Sequence, residues 1–119
     1  MDNTTCLLQR HSDQIDTPDT VIAEATDPEV TRVAPRARIH SDQINAAADW
    51  TTEPVPRIDA QTSRVVVILP KSMERLEMLL AVLAGQCQRP MELWLVGPTR
   101  EGIRGGVTRL EQRAEEVQV

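Results

Sequence analysis

The 119-residue sequence predicts an α/β fold, a three-layer sandwich in which helices cover a mostly parallel, incomplete sheet. Two observations predict it. "RVVVILP" (Arg64–Pro70) and "MELWLVG" (Met91–Gly97) are continuous apolar runs of strand length, the pattern of strands buried on both faces. Apolar residues then recur at helical spacing after each run: Met73, Leu76, Leu80 and Leu83, then Val107, Leu110, Ala114 and Val117. Strand, helix, strand, helix implies a parallel pair joined by a right-handed crossover.

In chain order, residues 1–63 form a polar segment rich in Thr, Asp, Pro and Ala. Within it "TVIAEA" (Thr20–Ala25) and "RARIH" (Arg36–His40) are short strand candidates that would complete the sheet edge. "DPEV" opens a helical turn with Pro28 near its first position. Pro54 and Pro56 make Thr51–Ser63 a loop. Residues 64–119 carry the β-α-β-α core. Ser72 suits the N-cap of the first core helix, Glu74 its positive first turn and Gly85 its end. "GPTREGIRGG" reads as a strand-to-helix turn, with the last helix following from Gly105. The length suits one modest domain, to which both segments belong.

Composition excludes several classes. There is no Phe and no Tyr, and only Trp50 and Trp94 supply aromatic rings, too few for a base-stacking platform. The net charge of -5 is the wrong sign for a free-standing nucleic-acid binder. It is uneven: residues 1–63 carry a net of -6 and residues 64–119 a net of +1. Only the second part can approach a phosphate backbone without strong repulsion. Cys6 and Cys87 belong to no CxxC pattern and read as free thiols. With no basic-then-apolar leader and no apolar run near the roughly 20 residues of a membrane span, the expectation is a cytoplasmic protein with no membrane partner.

Three stretches are candidates for chemistry. "HSDQI" occurs twice, so His11, Asp13, His40 and Asp42 are a possible metal set; the alternative is that Ser and Asp mark turns or helix starts. A Ser-His-Asp triad is less apt still, because its members come from separate elements. Gly97 and Gly102 have Walker A spacing, but Ile103 and Arg104 stand where the lysine and hydroxyl belong, which excludes a nucleotide-hydrolysing P-loop. Any anion there would meet Arg100, Arg104 and the amides of Gly105 and Gly106. Finally, Lys71 falls at the carboxyl end of the first core strand, the edge that faces the ligand crevice in open α/β sheets.

Three motifs in this order resemble the ribosomal RNA small subunit methyltransferase C family. They are Leu7, Leu8, Arg10, His11, Ser12 and Asp13; then Pro70 and Lys71 closing an apolar strand; then Val96, Gly97, Gly102, Ile103 and Arg104. That family methylates guanine N2 of 16S rRNA and has two similar α/β halves; this sequence resembles the N-terminal half. The resemblance implies a partial Rossmann-like, methyltransferase-like fold that has lost cofactor binding. The family's catalytic half carries the glycine-rich S-adenosylmethionine loop and an Asn-Pro-Pro-Phe motif; both are absent here. The expectation is therefore a chain with no catalytic, cofactor or metal residues, inactive alone. Its partners would be the missing catalytic methyltransferase domain and 16S rRNA or the small ribosomal subunit, with Lys71, Arg100 and Arg104 touching RNA. The alternative is a stand-alone protein-interaction module that pairs through its unfinished sheet edge and has no RNA role.

Overall fold

In the computed structural model the two apolar runs are neighbouring parallel strands, β3 (Arg64–Ile68) and β4 (Glu92–Val96), with Val66 opposite Trp94. The structure describes residues 2–41, 50–52, 55–86, 90–97 and 100–111, with the side chains of 100–102 and 109–111 outside that description. Before β3 come the helices α1 (Asn3–Gln9) and α2 (Ser12–Ile15), strand β1 (Thr20–Ala23), helix α3 (Val30–Val33) and strand β2 (Arg38–Ile39). Helix α4 (Met73–Gln86) links β3 to β4, and α5 (Arg100–Glu111) follows. The sheet is four-stranded, all parallel, in the order β2-β1-β3-β4. The predicted α/β class is thus what the chain adopts.

One expectation shifts. "TVIA" does not complete an edge; it is a central strand, fully buried, paired with β2 on one side and β3 on the other. The reason is its composition: with no charge from Thr20 to Ala23, it can lie between two covered faces. Beyond β2 the ladder reaches one position further, where His40 bridges Thr51 in parallel.

Strand alternation sorts the core into two layers. Ile22, Val66, Trp94 and Val96 face α1, α2, α3 and Trp50, with Leu8, Ile15, Val30 and Val33 packed on them. Val21, Val65, Val67, Leu93 and Leu95 face the other way onto Leu76, Leu79, Leu80 and Leu83 of α4. The predicted stripe of α4 is therefore right, with Leu79 added and Met73 only partly buried. Ser72 accepts from the Arg75 amide at 3.3 Å, the predicted N-cap. Helix α4 continues through Gly85 to Gln86, one residue past its predicted stop.

Helix α5 is the main correction. It begins at Arg100, so Arg104, Gly105 and Gly106 lie within the helix rather than in a turn. Helical glycines cost roughly 1 kcal/mol each relative to Ala, and here Gly106 shows what offsets that cost. It is buried, and a Cβ added to it would lie 2.4 Å from Leu95 Cδ2. The missing side chain lets α5 lie close against β4. The predicted apolar positions Ala114 and Val117 lie outside the described residues.

Carboxylates tie the loops at both ends of the sheet. Asp27 accepts from the Asp2 and Glu29 amides, joining the start of α1 to the approach to α3; those amides hold its carboxyl below the ordinary 3.8. Ser63 does the same for Asp19 ahead of β1, Arg38 for Asp59, and the Trp94 indole for Glu92, whose ordinary value is 4.5. All four shifts are downward, so each carboxylate adds stability above its unfolded value, and that stability is lost as pH falls through the folded one. The urea midpoint should stay level from neutral pH down to the ordinary carboxyl values and then decline as pH drops below 4.5 and 3.8. Asp27→Asn should flatten part of that decline; an unchanged acid limb in this variant would contradict the assignment.

Candidate functional site

Strand order fixes where a site can form. The connection after β1 runs to α3 on one face, and the connection after β3 runs to α4 on the other. The chain reverses its direction of winding between these two central strands, and in open α/β sheets ligands bind outside the carboxyl ends of strands at such a point.

A partly buried ion pair lies at that end of the sheet. Glu24, the first residue after β1, is 7% exposed and has φ 67, the one positive φ among the described non-glycine residues. Left-handed backbone costs a non-glycine residue about 1–2 kcal/mol. Arg75, in the first turn of α4, holds the Glu24 carboxylate in a bidentate grip: Nε to Oε2 at 2.9 Å and an Nη to Oε1 at 2.7 Å. The backbone of Glu24 is fixed as well, since its N–H donates to His40 Nδ1 at 3.3 Å. The Ala25 amide donates to the His40 carbonyl at 3.0 Å, and the His40 amide to the Ile22 carbonyl at 2.8 Å. His40 is thus a buried structural residue at the end of β2. Sequence reasoning missed this pair; the available signal was an acidic residue set directly after a buried strand.

The predicted basic residues gather at the same end of the sheet. Lys71 is exposed just past the carboxyl end of β3. Arg100 is the first residue of α5, after the carboxyl end of the neighbouring β4. Arg104 is exposed four residues along α5, about 6 Å by helical rise. The amides of Gly105 and Gly106, expected at a helix start, are inside α5 and are not an anion site.

The two "HSDQI" copies separate. In the first, Ser12–Ile15 is α2, Ile15 is fully buried, and exposed His11 meets the Trp94 ring edge-on at 5.7 Å. In the second, Ile39 ends β2 and His40 is buried beyond it, while Asp42 lies outside the described residues. β2 and β4, to which the two histidines attach, lie three strand spacings apart, roughly 14 Å. The described residues contain no cluster able to hold a metal ion. Both tryptophans are structural: Trp50 donates its indole N–H to Thr31 Oγ1 at 2.9 Å, and the Arg64 guanidinium lies 5.0 Å over Trp94. Cys6 is an exposed free thiol. No described helix is long and apolar enough to cross a membrane.

Residues 6–119 match the family described as methyltransferase small domain N-terminal. A ribosomal RNA small subunit methyltransferase C from Alcanivorax borkumensis is 39% identical over 118 residues, which is 97% of this chain and 36% of that protein. One of the same name from Hahella chejuensis is 34% identical over 65 residues, 54% of this chain and 19% of that protein. The chain spans about a third of the length of the first of these relatives. No solved structure matches it.

Proposed function

The chain belongs to the methyltransferase small domain N-terminal family, and from that premise we propose that it is a non-catalytic N-terminal half of a cytoplasmic, S-adenosylmethionine-dependent 16S rRNA (guanine-N2)-methyltransferase. It supports the catalytic half and assists rRNA binding. The carrying observation is that nearly the whole chain aligns with about a third of a much longer rRNA methyltransferase.

Its residues do not suit the methyl donor. A cofactor in an open α/β sheet enters the switch-point crevice over the strand ends, usually beneath a glycine-rich turn. Here a Glu24–Arg75 ion pair lies between the end of β1 and the start of α4, and the connection Glu24–Glu29 has no glycine. Donor binding and methyl transfer are accordingly assigned to the catalytic half. On this reading that half packs against β4, the outer strand of the described sheet on the side away from β2.

RNA contact is assigned to Lys71, Arg100 and Arg104, which share the carboxyl end of the β3–β4 pair. Replacing all three with Glu in a full-length enzyme that carries this segment should weaken affinity for a 16S rRNA fragment. The slope of log affinity against log salt should fall by about 2–3, close to one unit for each phosphate no longer neutralised. Filter binding over a salt series measures both, and an unchanged slope would remove the RNA role.

A further inference from the structure

We infer that the first strand to follow α5 pairs with the outer edge of β4, parallel to it, and so begins the contact with the catalytic half. This rests on the reading of the chain as part of a longer enzyme.

The hydrogen bonds of β4 define what that edge offers. The Glu92 amide donates to the Ser63 carbonyl at 3.0 Å, and the Val96 carbonyl accepts from the Leu69 amide at 2.7 Å. Backbone groups alternate in direction along a strand, so Glu92, Trp94 and Val96 bond to β3. The N–H and C=O groups of Leu93 and Leu95 therefore point the other way. Among the described residues no strand pairs with them. β4 has no proline and carries only one charge, Glu92 at its start, so it lacks the devices that protect a free edge.

The placement of the helices says which segment suits this edge. The β1–α3–β2 connection crosses one face and steps away from β3, while β3–α4–β4 crosses the opposite face and steps the opposite way. Opposite faces and opposite steps give the two crossovers the same hand, as parallel connections require. Helix α5 lies on the α4 face, since a Cβ on its Gly106 would meet Leu95 at 2.4 Å and Leu76 of α4 at 3.4 Å. A crossover of that hand through α5 steps once more in the β3-to-β4 direction, which is onto the outer edge. The inner side of β4 is already taken by β3. A second copy of β4 suits the edge less well, because a twofold partner in the same sheet would bring both copies of α5 over one edge on one face. The occupant is accordingly an extended run of about five residues, the length of β4, with apolar side chains toward α5.

Amide hydrogen exchange tests this, resolved by residue in the chain and in the full-length enzyme that carries it. In the full-length enzyme the Leu93 and Leu95 amides should exchange about 100-fold more slowly than in the dilute chain, while those of Trp94 and Val96 are protected in both. Fast exchange at both leucines in the full-length enzyme would overturn the inference. So would a close Hα–Hα contact at Trp94 across the new pair, the mark of an antiparallel neighbour. Protection in the chain alone that grows with its concentration would give the edge to a second copy, which also overturns it. None of these measurements needs rRNA or methyl donor, so an unchanged salt slope in the rRNA experiment and a failure here are separate results.

Discussion

Arg75→Ala is expected to lower the unfolding free energy by about 3 kcal/mol, at the low end for a broken buried pair because the Arg75 side chain is a quarter exposed. The variant strands the Glu24 carboxylate, 7% exposed, without its bidentate partner. Against a total stability of about 5–15 kcal/mol for an ordinary domain, that loss is a large fraction. Glu24→Ala should cost less, about 1 kcal/mol, since the guanidinium can then turn to solvent and a shorter side chain leaves no buried charge. The asymmetry is the informative part. Urea unfolding of both variants measures it, and equal losses would mean that Glu24 is not desolvated as described.

Leu76→Ala should cost about 3 kcal/mol, the middle of the range for a fully buried leucine. The residue lies under α5, with Leu76 Cδ2 3.4 Å from where a Gly106 Cβ would sit. Gly106→Ala alone should be destabilising by about 1 kcal/mol. Its methyl must displace Leu95, and that overpacking exceeds what the helix gains from alanine. Combined, the two changes should cost less than their sum by about 1 kcal/mol, because the space vacated at Leu76 lets Leu95 move aside. A double-mutant cycle in urea gives the coupling directly. Strict additivity would show that α5 does not rest on β4 through Gly106.

The reach of sequence reasoning follows from which signals are periodic. β3, α4 and β4 were legible because "VVVI", the leucine stripe and "LWLV" each carry a pattern that holds without tertiary context. β1 was visible as a strand, but its central place was not, since four residues cannot declare how many neighbours they have. The glycines after β4 were misread as punctuation; Gly106 is there for a close approach between helix and strand, which no local rule signals. "HSDQI" makes the point most sharply. One copy folds as the turn of α2, while the other begins at the buried His40 beyond β2, so its partners, not its letters, decide. Lys71 follows the carboxyl end of β3, as the apolar run implied, whereas the Glu24–Arg75 pair joins residues 51 positions apart, and the charge that follows β1 does not by itself name its partner.

The positions of the two indoles have a practical consequence. With tyrosine and phenylalanine absent, Trp50 and Trp94 account for all the aromatic emission of the chain. One is enclosed beside β2 and the other lies partly open on β4 under a cation and an imidazole, so the native chain carries a built-in optical gauge on each flank of its sheet. Changing either indole to phenylalanine leaves a single emitter. Comparing the two melting curves then tells whether the flanks come apart together or one after the other.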